Sequence, residues 1–410
     1  MKKKNFFNKS IIMCFLISIM FLSMGVSVNK KEDEKIFENI IIENINVGGL
    51  SKKEAIRKLE KEYTIKNINI SFNDKIWTIE PKKIELNYHI EDIVNIAFDY
   101  SRSDSNFENM KRIIKLKTNK PYSLKLRATY NEAELSNEVC KICDEINVEA
   151  KDAVFQVLDS GEMKITKSSL GRFVDISLFK EEIYIMINNK KIKDINLPVR
   201  IIYPKVSTKD VESINTILGQ FSTSFNNYTS RGSNIHVAGE NSSNILVMPE
   251  EIFSYNNATG ARTWNNGYKS APVIVGGKVV NGEGGGVCQV STTIYNAALI
   301  AGMEIEEVHN HTFPSRYTSM GRDATVSYGY FDLKFKNPFS HPIYIKNTLG
   351  DGCITSSIYG CKDDRERLYI NTETKYLKNK FKVNTYRIYL DEENNIMRRE
   401  LINTSEYKPH

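Results

Sequence analysis

Hydrophobic and polar positions divide the chain into three regimes. An uncharged apolar run, residues 11–28 (IIMCFLISIMFLSMGVSV), follows a start that holds Lys2, Lys3, Lys4 and Lys9. As a helix this run rises about 27 Å, close to the thickness of a bilayer core. Past a charged linker (NKKEDEK, residues 29–35) the pattern becomes mixed. Ser51 and Glu54 form a capping box ahead of apolar Ala55, Ile56 and Leu59, which predicts a helix. Alternating runs at 65–72 and 75–80, turned by Asn73-Asp74, predict a hairpin. The order then repeats. Asn131 and Glu134 cap a helix with Leu135, Val139, Ile142 and Ile146 at helical spacing, and hairpin runs follow at 154–158 and 163–166. The repetition predicts a duplicated helix-plus-hairpin α+β module. Further on, Val290, Ile294, Ala297 and Ala298 share a helical face, and alternating runs near 332–337, 343–345, 354–359 and 380–389 predict strands. The expected fold class is α+β. It comprises an N-terminal membrane helix, the duplicated module, then an α+β domain with a mainly antiparallel sheet and a helix starting at Cys288. Residues 361–410 are expected to close that domain's sheet.

Composition narrows the function classes. With 410 residues, 41% hydrophobic and 26% charged, the chain is globular and long enough for two or three domains. The net charge is +6, but four of the positive charges lie in the first ten residues, leaving +2 elsewhere. No basic stripe of the kind that binds nucleic acid is present. Lysines ahead of the apolar run place the N-terminus inside and everything after residue 28 outside. The run lacks an A-x-A-like exit, which favours a retained signal anchor over a cleaved signal peptide. The expected location is a single-pass anchor in the cell membrane, with the domains in the cell wall space. Cys140 and Cys143 form a C-x-x-C in mid-helix and read as core packing. Cys353 and Cys361 flank a strand and could pair if neighbouring strands align them, since an exterior location permits disulfides.

Chemistry concentrates between residues 220 and 345. Cys288 follows Gly284-Gly285-Gly286 and precedes a helical pattern, so it sits at a helix N-terminus. There the N–H groups and helix dipole favour thiolate over thiol, and the same N–H groups can hold an oxyanion. A nucleophilic thiol needs a base with an orienting partner. His309 and His311, two apart in an extended segment, are expected to project together, and Asp323 follows in Gly321-Arg322-Asp323-Ala324. A Cys288–His–Asp323 arrangement is a triad by role. The choice of base stays open between the histidines, with His311 preferred and His309 shaping the pocket. The same four side chains could instead ligate zinc as a hydrolase site, although a glycine-framed helix N-terminus suits acyl chemistry better. No cofactor or metal is called for by the thiol reading. Arg316, Tyr317, Arg322 and Tyr328 are candidate substrate-binding groups, with Gly285, Gly286, Gln289 and Ser291 around the thiol. Arginines there would suit a substrate carboxylate. Phe253-Ser254-Tyr255-Asn256 and Gly260-Ala261-Arg262, followed by Gly267-Tyr268, mark a second loop around the cleft.

Two resemblances follow from these strings. Asn46-Val47-Gly48-Gly49-Leu50-Ser51, Asp152-Ala153 and Gly171-Arg172-Phe173-Val174-Asp175 resemble the peptidoglycan-binding module that precedes VanW domains. Phe221-Ser222-Thr223, Glu251-Ile252-Phe253-Ser254, Gly285 through Ser291, the His309/His311 pair and Gly321 through Val326 resemble the VanW domain itself. One departure is Glu250, where that family usually has glycine in a Pro-Gly-Glu turn. The resemblance implies an L,D-transpeptidase that joins stem peptides into 3–3 cross-links through a Cys288 thioester. Its partners would be a donor tetrapeptide and an acceptor diaminopimelate amine. L,D-carboxypeptidation would be a side activity, and a non-catalytic wall-binding accessory is the alternative. The corresponding division is a stub at 1–10, an anchor at 11–28, a linker at 29–40, a binding module at 41–206, a catalytic domain at 207–360 and an extension at 361–410.

Overall fold

Local side-chain capping sets where the helices begin. Ser51 and Glu54 exchange the reciprocal bonds of a capping box, and Asn131 accepts the Glu134 N–H. The computed structural model describes residues 34–118, 120–158, 160–275 and 278–409. The membrane helix expected at 11–28 lies outside them. Among the described residues no helix is long and apolar enough to cross a membrane.

The chain forms two compact units, one from residues up to 148 with 172–201, the other from 149–171 with 202–410. The first unit runs β1 (Ile40–Ile42), β2 (Ile45–Asn46), α1 (Lys52–Glu62), β3 (Ile68–Phe72), β4 (Lys75–Ile79), α2 (Ile90–Asp99), α3 (Asn106–Lys117), β5 (Tyr122–Leu124) and α4 (Glu132–Ile146). After β6 (Val154–Val157) and β7 (Met163–Thr166) in the other unit come β8 (Gly171–Val174), α5 (Ile176–Asn189), β9 (Ile195–Asn196) and β10 (Val199–Ile202). Leu135, Val139, Ile142 and Ile146 of α4 share one buried core with Phe179 and Ile183 of α5 and with Ile68, Ile70 and Ile79 of the β3–β4 hairpin. Glu43 accepts from Lys190 at 2.7 Å with both side chains largely buried, tying the β1–β2 turn to the end of α5.

The second unit continues α6 (Thr208–Glu212), β11 (Thr216–Ser224), α7 (Ser230–Asn241), β12 (Ile245–Val247), β13 (Ile252–Ser254), α8 (Tyr255–Thr259), β14 (Ser270–Val275), β15 (Lys278–Glu283), α9 (Val287–Ala301), β16 (Glu304–Glu307), β17 (Lys334–Lys336), β18 (Ile343–Gly350), β19 (Cys353–Gly360), β20 (Leu368–Leu377), β21 (Lys380–Leu390) and β22 (Ile396–Tyr407). Its main sheet has the order β11-β19-β18-β12, with every pairing antiparallel. Against it lies α9, buried on nearly all sides. A helix buried all round is a core helix, and this one ends at Gly302 with Met303 N–H bonded back to the Ala298 carbonyl at 3.0 Å. β11 bulges between Ile217 and Gly219, and Gly219 faces α9 so closely that a Cβ there would overlap the Ala297 carbonyl.

Three expectations are corrected. The helix-then-hairpin order occurs twice, but it does not make a duplicated module. The β6–β7 hairpin belongs to the second unit, where Phe155 and Val157 are buried with Tyr344 and Tyr359. Residues 361–410 do not close the main sheet; β20, β21 and β22 form a meander of their own. Alternation marks a strand but not the sheet it joins. Cys353 and Cys361 do not pair, because they stand at opposite ends of β19 and both are free. Eight residues of strand separate such ends by about 25 Å, far beyond disulfide reach. Glu250 explains its own departure: its φ is 65°, the left-handed backbone that glycine adopts at no cost.

Two substitutions test these packing statements by thermal and denaturant unfolding. Gly219→Ala is expected to destabilise the second unit by about 1–3 kcal/mol, the usual cost of overpacking. Glu250→Gly is expected to hold or raise stability by about 1 kcal/mol as left-handed strain is relieved, with only a weak exposed ion pair to Lys336 lost.

Candidate active site

The site starts from the glycine loop. Gly286, with φ 110°, caps α9, and Cys288 is the helix's second residue. Buried Asn234 of α7 fastens the loop, donating to the Gly285 and Lys269 carbonyls at 2.9 Å each. Val287 and Gln289 N–H groups are already bonded to the Gly284 and Gly286 carbonyls. The Cys288 and Gly286 N–H groups make no backbone bond of this kind among the described residues.

The half-buried Cys288 thiol lies 3.6 Å from the Val326 carbonyl and within the electrostatic reach of His311. His311 turns its Nδ1 to Asp323 at 2.6 Å, so Nδ1–H donates and the other nitrogen serves the thiol. Asp323, 1% exposed, also accepts the His311 backbone N–H at 2.7 Å and a short bond from the Tyr407 hydroxyl. Tyr407 in turn accepts the Gly321 N–H at 2.7 Å. Burial opposes the imidazolium of His311, but the bonds to Asp323 and Cys288 overcome it and raise its pKa to about 10. Burial likewise opposes the Cys288 thiolate, and the hydrogen bond and charge of His311 overcome it, holding the thiol below its ordinary value. Both directions favour the thiolate–imidazolium form over the neutral pair, with a carboxylate behind the imidazole.

α9 also holds Asp323 in place. Ser291 donates to the Ala324 carbonyl at 2.7 Å, and Thr292 accepts the Ala324 N–H at 3.0 Å. Asn296 donates to the Arg322 carbonyl at 2.8 Å and accepts Arg322 Nε at 2.6 Å. One polar stripe on the helix therefore fixes the backbone on both sides of the acid.

The other sequence candidates fall at varied distances from the thiol. His309 and His311 do not project together: His309 bonds Glu307 at 3.1 Å and packs on Phe331. The segment is not a strand, so the two-residue rule does not govern it. Gln289 is buried and donates to Thr223 and to the Ser224 carbonyl. Tyr317 lies edge-on to His311 at 6.4 Å and bonds Thr292, and burial pushes its phenol up. Arg322 stacks on Phe221, Arg316 is exposed, and Tyr328 is half exposed above Arg262. Arg231 packs its stem against Gly286, where no Cβ would fit. Among the described residues the one group of three potential metal ligands is His341, Cys361 and Asp364, which includes none of the residues around Cys288. Sequence reading missed Asn234, Arg231 and Tyr407. Tyr407 lies 84 residues from Asp323, and no local spacing announces such a partner.

Comparison with known proteins adds an independent view. Residues 230–359 match the family model described as "VanW like protein", and residues 77–196 match "Putative peptidoglycan binding domain". The chain is 40% identical over 192 residues to the "Uncharacterized protein YoaR" of Bacillus subtilis, covering 46% of this chain and 63% of that one. It is 28% identical over 134 residues to the "Vancomycin B-type resistance protein VanW" of Enterococcus faecalis, covering 32% of this chain and 49% of that one. The chain thus spans half to just under two thirds of these curated relatives. No solved structure matches it.

The relay predicts how the thiol titrates. Iodoacetamide labelling of Cys288 against pH is expected to inflect below the ordinary thiol range, and His311→Gln moves the inflection upward, because burial is then opposed only by the Val326 backbone contact and the Arg262 charge. Asp323→Asn shifts it in the same direction by less. For stability the sign follows from a raised histidine pKa. The His311 contribution is full below its unfolded value of 6.5, shrinks as pH rises, and is gone above about 10. Unfolding curves of wild type and His311→Gln should therefore converge toward pH 10.

Proposed function

We propose that this chain, whose residues 230–359 match the VanW-like model, is a cell-wall L,D-transpeptidase working through Cys288. The observation that carries the reading is the Cys288–His311–Asp323 relay at the start of α9. The thiolate attacks the carbonyl of the third stem residue, a diaminopimelate, in a donor tetrapeptide. The oxyanion that forms meets the unengaged Cys288 and Gly286 N–H groups. His311 passes its proton to the departing amine, and D-alanine leaves a thioester behind. His311, now neutral, takes a proton from an acceptor diaminopimelate amine as that amine attacks the thioester. The 3–3 cross-link forms and the thiolate–imidazolium pair returns. Water in place of the amine gives carboxypeptidation. No nucleotide is consumed, which suits chemistry outside the cell. Residues 41–206, which overlap the matched peptidoglycan-binding region, hold the enzyme on its polymer in this reading.

The test is mass spectrometry of the purified full chain with disaccharide-tetrapeptide. Wild type is expected to give a dimer that has lost one D-alanine, and Cys288→Ala none. His311→Gln should slow the reaction by about 10²–10⁴-fold, the usual weight of a positioned acid–base group. A Cys288→Ala protein that still cross-links at the wild-type rate would sink the mechanism. Folded wild type without any product would leave a wall-binding accessory.

A further inference from the structure

Arg262 presents an unusual balance of contacts. Its Nη1 donates to the Gly260 carbonyl at 2.7 Å. Its Nε and Nη2 are buried and have no hydrogen-bond partner. These two donors lie on one edge of the guanidinium plane, the edge that grips both oxygens of a carboxylate. The cation is held by rings: its Cζ is 5.5 Å from the centroid of buried Tyr255 and 5.7 Å from that of Tyr328. Cation–π contact orients a guanidinium without using its N–H groups.

The clamp is built onto the nucleophile loop. A Cβ at Gly284 would meet Arg262 Cβ and Cγ at 2.8 Å each, so this glycine makes room for the arginine stem. The Tyr255 hydroxyl donates to the Val287 carbonyl at 3.1 Å, one residue before Cys288. Guanidinium donors that are buried and unmet are costly, and a bound anion removes that cost. Arg322 has its Nε engaged by Asn296, and Arg316 is exposed, so neither offers the same free, desolvated fork.

We propose that Arg262, oriented by Tyr255 and Tyr328, is the carboxylate-recognition residue of the Cys288 site, selecting donor peptides by a free carboxylate beside the scissile bond. The proposal rests on the peptide-acyl reading above. The carboxylate is that of the leaving C-terminal residue or of the third residue's side chain, and both present the same planar pair of oxygens. Tyr328, 52% exposed with its ring 5.7 Å from the Arg262 Cζ, is the neighbour free to shift when the carboxylate enters.

Calorimetric binding to full-length Cys288→Ala separates this from catalysis. The probes are the tetrapeptide acid, its C-terminal amide, and the tetrapeptide with the third-residue side-chain carboxylate amidated. One amide is expected to bind about 10–100-fold more weakly than the acid, and which one identifies the carboxylate. Adding Arg262→Gln should bring the acid down to the level of that amide and leave the amide's affinity unchanged. Arg262→Lys, which keeps charge but not the fork, should restore only part of the difference. Equal binding of acid and both amides, no binding at all, or a preference that survives Arg262→Gln would each overturn the proposal. If Arg262→Gln does not fold, Tyr328→Ala decides: the acid preference must fall at least about threefold, and an unchanged ratio overturns it. An acid preference in a wild-type protein that never cross-links would sink the thiol chemistry and leave this site standing.

Discussion

A carboxylate withdrawn from water has to be met by donors on every accessible lone pair, and Asp323 is that group here. Its donors come from places far apart in sequence: the Tyr407 hydroxyl near the chain's end, and the backbone and ring of His311. Meeting the acid in this way settles three other things together. The His311 ring cannot rotate, its Nδ1 carries the proton, and its second nitrogen is left for the thiol. The meander β20–β22 becomes part of the site although it joins none of the main sheet's ladders. The carboxylate is the point where the second unit's separate pieces have to agree.

The opposite side of the same segment is held by α9. Ser291, Thr292 and Asn296 are polar residues in an otherwise buried helix, and each is satisfied by the backbone around Asp323. Such a stripe would be costly if any member were left unpaired, so it specifies one register of the 322–324 segment rather than adding bulk stability. Because Cys288 stands on that helix too, nucleophile and acid are spaced by helix geometry, one to two turns of about 5.4 Å. Gly219 and the Asn234-fastened glycine loop then seat the helix against the sheet.

This division explains what could be read from sequence. Capping at Ser51 and Asn131, the β3–β4 hairpin and the helix after Cys288 obey rules that act within a few residues, and all were legible. A histidine oriented by Asp323 was also expected, once a thiol at a helix start required a base and an orienting acid, with His311 preferred but the choice between His309 and His311 left open. What escaped depends on long-range choice. The β6–β7 hairpin has the same local pattern as β3–β4 but buries Phe155 and Val157 against Tyr344 and Tyr359. His309 and His311 differ only in their neighbours, Glu307 for one and Asp323 for the other. Arg262 gained its character from Tyr255 and Tyr328, seven residues before it and sixty-six after it.

The relay also suits the chemistry assigned to it in how charge moves. In the thiolate–imidazolium form of the proposed mechanism, the thiolate, imidazolium and carboxylate sum to −1. In the tetrahedral state sulfur is neutral, the substrate oxygen is negative, and histidine and aspartate keep their charges, so the sum is again −1. After the proton has gone to the departing amine, thioester and imidazole are both neutral and the carboxylate alone supplies −1. Net charge inside the site is the same at each stage, and only its position changes, by the length of a bond or two. Groups that are fixed in space can serve all three states without reorganising, which is the condition under which buried dipoles are most effective. In the proposed reaction the N-terminus of α9, where Cys288 is the second residue, is such a group. A site that gained or lost a charge on acylation would need mobile water or a moving counterion. The seating of α9 by buried Asn234, Ser291, Thr292 and Asn296 provides instead a rigid field that the reacting charge moves through.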